Sequence, residues 1–242
     1  MNEQSHSEIA AWLTQAGLAG ENENAIVDGF CERCVKAGLP VARAHVFIDT
    51  LHPVHEGRLF RWGHMPNEEP LLEYGRTVPV PDSTEADALA TERWRKSPFY
   101  RMLQTGESLL RRRVPAEGEE TEFAAIAEMR DFGMTDYVAI IHRFAPEGVI
   151  GEMDSLYSSW ATRHPDGFSD ANIEALQRLT PYFALAIKSV ALLRMTGTLM
   201  QTYLGRDAGQ RVLGGRIARG VTERIDAAMR PPSTRWPASR PR

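Results

Sequence analysis

The chain has 242 residues, 43% of them hydrophobic and 25% charged, with a formal net charge of -4; this suits one ordinary globular domain plus an extended element. Residues 201–242 hold nine Arg against Asp207, Glu223 and Asp226, a net +6, which leaves -10 on the first 200 residues. An acidic body argues against general nucleic-acid binding, which needs a basic surface, and the absence of 18 uninterrupted apolar residues, or of a basic start followed by an apolar run, argues against a spanning helix and a secretory signal. A cytoplasmic protein with neither nucleic-acid nor membrane partners is the expectation.

Residues 5–17 and 22–38 predict helices. Ile9, Trp12, Leu13 and Ala16 recur at helical spacing, as do Ile26, Phe30, Cys34 and Val35. Gly38 and Pro40 end the second. ARAHVFIDTL (42–51) and RLFRWGH (58–64) predict two strands, joined through HPVHEG as a hairpin. Pro66, Pro70, Pro79 and Pro81 make residues 64–96 a loop, with TVPV (77–80) a short edge strand. SPFYRMLQTG (97–106) predicts a short helix, capped by Ser97, with Pro98 in its first turn and Gly106 at its end. ESLLRRRV predicts a strand and residues 119–133 a helix with Phe123, Ile126 and Met129 or Arg130 on one side. DYVAIIHRF and DSLYSSWATR predict two strong strands, joined by the turn-rich PEGVIGEM. A long helix follows from about residue 170 to at least 204, capped by Ser169 or Asp170. This order predicts an α+β fold, a central antiparallel sheet flanked by helices with a long C-terminal helix.

The long helix carries a heptad seam. Leu176, Leu179, Phe183, Ala186, Val190, Leu193, Gly197, Met200 and Leu204 step alternately by three and four. A second stripe, Ile173, Leu176, Thr180, Phe183, Ile187 and Val190, widens the apolar face of the first half. At ~1.5 Å per residue the seam is about 42 Å long, more than a small sheet covers. The expectation is a homodimer whose seam is Leu176, Leu179, Phe183, Val190, Leu193, Met200 and Leu204. Pro181 predicts a kink near its start.

Chemistry-bearing motifs are sparse. Cys31 and Cys34 share one helical face, and with His52 and His55 they would make a two-Cys, two-His metal set. The His pair lies in a turn at a tighter spacing than zinc fingers use. The plainer reading is two buried thiols and two polar turn residues, with no metal. No nucleophile elbow, phosphate loop or HExxH motif occurs, so no catalytic residue is assigned. GRDAGQRVLGG follows a helix instead of a strand and lacks a phosphate-binding Lys-Ser or Lys-Thr pair, which makes it a helix break or joint. Polar and aromatic strand residues are the candidates for a ligand pocket: Phe47, Trp62, Tyr137, His142, Tyr157 and Trp160, with Arg163 beside the last. Aromatics on strands more often fill a core. Of these, Trp62, Tyr137, His142, Trp160 and Arg163 are taken as the ligand-binding set.

Four stretches together resemble one family. LHPVHEGRLFRW (51–62), SPFYRMLQTGESLLRRRV (97–114), HPDGFSDANIEALQRLTPYFALAI (164–187) and TYLGRDAGQRVLGGRIARGVTERIDAA (202–228) look like the N-terminal, GAF-like sensor region of bacterial class III adenylate or guanylate cyclases. The resemblance runs to about residue 228, and its last stretch resembles the lead-in to a cyclase domain. It implies a GAF-like sensor at 1–168, a signalling helix at 169–204, a linker at 205–228 and a disordered Arg/Pro-rich tail at 229–242. It also implies cyclic AMP signalling in which a separate domain makes the product by two-metal chemistry. No counterpart of that domain's aspartates is present. The expectation is therefore a ligand-binding, dimerising module without cofactor or catalytic competence, cut short before the catalytic domain. The tail reads either as a shifted frame in a GC-rich gene or as the tail of a stand-alone small-molecule-binding regulator that acts through protein partners.

Overall fold

In the computed structural model the described residues are 1–50, 56–63, 68–74, 91–145, 147 and 153–216. Helix α1 (Glu3–Ala19) starts at Asn2, whose side chain accepts the Ser5 amide, and ends at Gly20 in the left-handed conformation. Helix α2 (Glu23–Lys36) is capped the same way by Asn22. Strands β1 (Arg43–Asp49) and β2 (Gly57–Trp62) form the expected hairpin, with Val46 opposite Phe60. A third strand, β3 (Leu71–Tyr74), lies where the sequence predicts only loop. Its pairing with β2 is decided by the neighbour, because LLEY is too short and too weakly alternating to announce itself. The proposed TVPV strand falls outside the described residues.

Helix α3 (Pro98–Thr105) follows its sequence signals, with Ser97 accepting the Tyr100 amide and Gly106 at φ 77° closing it. Strand β4 (Leu109–Arg113) comes next. The helix expected over 119–133 is much shorter: α4 covers only Ala124–Ala127, and a 3-10 turn continues through Glu128–Phe132. Phe123 is extended and offers no capping oxygen, and Glu122 reaches Arg101 and Arg112 instead of continuing a helical turn. Strands β5 (Asp136–Arg143) and β6 (Ser155–Thr162) complete the sheet.

The six strands run in the order β3-β2-β1-β6-β5-β4, every pair antiparallel. With helices on both faces, this is the α+β arrangement, a central antiparallel sheet flanked by helices with a long C-terminal helix, that the sequence predicts. Alternation sorts the side chains between two cores. Ala44, Val46, Ile48, Phe60, Val138, Ile140, Leu156 and Trp160 face α1, α2 and the long helix. Tyr137, Ala139, Ile141 and Tyr157 face the opposite way, against Phe99, Met102, Phe123 and Ile126.

The long helix α5 (Asp170–Leu204) begins with a reciprocal capping box between Ser169 and Asn172 and passes through Pro181 without ending. Its first half belongs to the core. Leu176, Leu179 and Phe183 are fully buried and Val190 nearly so, and Phe183 stacks on Phe30 at 4.4 Å. Gly17 of α1 lets the two helices approach closely, since a Cβ there would lie 3.0 Å from Ala186 Cα. Contrary to the seam expected from the sequence, four of its members are thus covered within the chain. Leu193 and Leu204 remain exposed and Met200 is half-buried. By length and composition α5 is apolar enough to cross a membrane, against the expectation from uninterrupted runs. Its wide apolar face is what α1, α2 and the sheet cover.

Gly205 breaks the helix, and α6 (Arg206–Leu213) folds back so that Gly209 packs on the Met200 backbone. The expected joint is thus an ordered reversal up to residue 216. Its remainder and the Arg/Pro-rich tail fall outside the described residues.

Candidate functional site

A cavity of about 380 Å³ opens on the sheet face opposite α5. Its floor is Arg43, His45 and Phe47 of β1, Ser159 of β6 and Tyr137 of β5. Pro98 and Phe99 of α3 form one wall, and Ile126, Met129 and Phe132 form the other. Alternation puts Arg43, His45 and Phe47 on this face, while Ala44, Val46 and Ile48 enter the helix-side core. Ser159 pairs with His45 across the β1–β6 ladder and with Ala139 on β5, so a small residue in the middle of the floor leaves room above it.

The polar groups gather at one end. The Arg43 guanidinium, only 10% exposed, donates to Glu68 at 2.7 Å. Its Nε and Nη2 also approach His45 Nε2, at 3.1 and 2.9 Å. His45 Nε2 therefore accepts, and the neutral ring keeps its proton on Nδ1. Burial, then the charges of Arg43 and Arg61, push the His45 pKa down to about 3. Burial also raises the Tyr137 phenol, so its hydroxyl stays protonated and can donate. The site thus offers neutral donors and acceptors beside one compensated ion pair, inside a largely aromatic enclosure. Among its described residues none forms a nucleophile paired with a base.

Of the five ligand-binding candidates the structure brings only Tyr137 to this cavity. Trp160 lies on the other face, edge-on to Phe30 at 5.6 Å and to Phe183 at 6.3 Å, with its indole N–H donating to Ser158 Oγ. Trp62 stands opposite Ala44 and packs on the same core. His142, whose pKa burial lowers, lies beside Phe144 near the far end of β5. Arg163 is a brace: its Nε donates to the Phe132 carbonyl. Arg43, His45 and Ser159 line the cavity and are not among the sequence candidates. The signal was present in RAHVFID, where polar and aromatic residues alternate with Ala, Val and Ile.

Cys31 and Cys34 are both fully buried on α2, and burial raises both thiols, Cys34 to about 12. His52 and His55 fall outside the described residues. Among the described residues no group of three or more His, Cys, Asp or Glu is placed to hold a metal.

The cavity connects to the start of α5 through β5. Asp136, next to Tyr137 and wholly buried, accepts from Arg111 at 2.8 Å and from the Phe168 amide at 3.0 Å. Arg111 also donates to the Phe168 carbonyl and reaches Asp170. Arg113 donates to the Asp166 carbonyl, and Thr135 to that of His164. Gly167 at φ 72° fits this knot because a Cβ there would strike Asp136 and Arg113.

No protein-family model and no curated protein matches the chain. Among solved structures it is similar to the phycoerythrobilin-bound GAF domain from a cyanobacterial phytochrome, at 15% identity over 80% of this chain and 97% of that one, with a TM-score of 0.46. It is also similar to the GAF domain of a two-component sensor histidine kinase from Bacillus halodurans, at 14% identity over 70% and 95% of the two chains, TM-score 0.44. A third is the chromophore-binding domain of the bacteriophytochrome RpBphP3 from R. palustris, at 9% identity over 80% and 64%, TM-score 0.43.

Proposed function

We propose that this chain is a small-molecule sensor module of adenylate-cyclase-type, cyclic AMP signalling. It binds its ligand in the cavity between the sheet and α3–α4, and passes occupancy to α5. It pairs with a second copy through the outer half of that helix, and it carries out no cyclase chemistry itself. The observation that carries the reading is the direct link from floor to helix. Tyr137 touches the cavity, and the adjacent Asp136 holds the turn from which α5 starts. A ligand that shifts Tyr137 or the Phe132 wall changes the strain on Asp136 and Arg163 together. That biases the helix start between two arrangements. The cyclase context rests on the sequence resemblance, above all on residues 202–228.

The test is hydrogen exchange with 2-naphthol, a neutral two-ring fluorophore of suitable size. Saturating probe is expected to slow exchange in β5 and to alter it at residues 166–176. An Ala125→Trp substitution, which fills the cavity from its wall, is expected to abolish probe binding. Unaltered exchange around Ser169 with the probe bound overturns the sensor reading. Incubation with ATP and magnesium is expected to give no cyclic AMP. Turnover by this chain alone overturns the non-catalytic part.

A further inference from the structure

The charges around the cavity specify more than its existence. Arg43 is nine-tenths buried, and a buried cation is tolerable only with a carboxylate beside it. Glu68 supplies that carboxylate from the segment between β2 and β3. On its other side the guanidinium meets His45 Nε2, a neutral acceptor. Together these contacts hold its plane and engage Nε and Nη2. Among the described lining residues the other acid is Glu128, which is exposed at the rim, where water screens it. Among the described lining residues the buried cation, Arg43, is therefore compensated; Arg61, opposite His45 but outside that lining, donates to the Glu69 carbonyl. A ligand bringing its own charge would lose hydration and find no unpaired counter-ion among these residues, a loss that scales with the full ionic solvation energy.

The remaining surface is apolar and largely aromatic. Phe47 and Phe99 meet edge to face at 5.4 Å, and Phe99 meets Tyr157 likewise at 5.7 Å. Met129, Ile126 and Phe132 close the other side. Against these the polar floor offers hydroxyls on Ser159 and Tyr137, which suit an oxygen or nitrogen atom that is not ionised. About 380 Å³ is near the small end of the ~300–1,000 Å³ typical of small-molecule pockets.

We infer that the ligand is an uncharged, planar, one- or two-ring aromatic molecule carrying one or two hydrogen-bonding atoms, and that the Arg43–Glu68 pair acts as a charge filter against ionised analogues. This deepens the sensor reading above and rests on it.

The test compares three naphthalenes of one shape: 2-naphthol, 2-naphthoate and 2-naphthylmethylammonium, titrated calorimetrically at pH 7. The expected result is that the neutral probe binds at least about tenfold more tightly than either ion, a difference of ~1.4 kcal/mol. Glu68→Gln leaves Arg43 without its acid, and is expected to reverse the order so that naphthoate binds best. Equal binding of the three, or preference of the unsubstituted protein for an ion, overturns the charge filter while leaving the cavity a binding site. Preference for naphthol that survives Glu68→Gln overturns the role of the pair. If no naphthalene binds and Ala125→Trp leaves the melting temperature unchanged, the cavity itself fails, and the inference falls with it. A thermal scan of each variant separates lost binding from lost folding.

Discussion

Asp136 has no exposed surface, and its carboxylate is held by Arg111 and by the Tyr137 and Phe168 amides. Asp136→Ala strands those donors, so it is expected to destabilise the fold by roughly 2–3 kcal/mol. A lowered urea midpoint checks this, and an unchanged one means that water takes over the site. His45 gives a pH signature. Its folded pKa is depressed to about 3 from an ordinary value of 6.5. Between those limits the unfolded chain binds a proton that the folded chain refuses, so stability rises with pH across the window and falls on acidification. The steepest slope is about 1.4 kcal/mol per pH unit. Denaturant titrations between pH 4 and 7 are expected to show a shallower dependence for His45→Asn than for the parent chain. At Cys31 and Cys34 the physics is plainer. Thiols raised by burial are poor nucleophiles, and the pair shares the face of α2 that lies in the core.

At the scale of elements, capping residues were the most legible feature. Ser97 with Pro98, Gly106, and Ser169 after HPDGF all act as their chemistry dictates, because a cap is a contact between near neighbours. The short β3 and the truncated α4 were not legible, because each depends on a partner far away in sequence: β2 for one, Arg101 and Arg112 for the other. Helix α5 shows the same division within one element. Its heptad spacing is real, but spacing does not say which neighbour fills the holes. Phe183→Ala is expected to cost roughly 3–5 kcal/mol, since the ring stacks on Phe30 within the chain. Leu193→Glu combined with Tyr203→Glu is expected to leave the melting temperature within a few degrees of the parent, because these side chains are 61% and 81% exposed. Paired thermal scans at a concentration where the parent chain is monomeric distinguish the two outcomes, and equal losses there would mean that the outer half of α5 is also held within the chain.

For the whole molecule the question is what covers the outer half of α5. Leu193, Tyr203, Leu204 and, on the folded-back α6, Leu213 leave apolar surface at one end. If a second copy covers it, sedimentation will show a dimer that the Leu193→Glu, Tyr203→Glu variant dissociates. A monomer at micromolar concentration removes pairing from the proposed mechanism while leaving the cavity untouched. The sheet divides the molecule into a cavity side and an α5 side, and Trp160 and Tyr137 show how fine that division is. The two strand aromatics are alike in the sequence, yet one is central to the α5 core and the other lines the cavity.

The residues by themselves determined the α+β class, the hairpin, most helix limits and the α5 caps, since all of these follow from period, turn chemistry and local hydrogen bonds. They did not determine which candidates share a site. That was decided by strand register, which sets Arg43, His45, Ser159 and Tyr137 on one face and sends Trp62 and Trp160 to the other. A shift of one residue along any strand exchanges its faces, and only the packing of one strand against the next fixes that register.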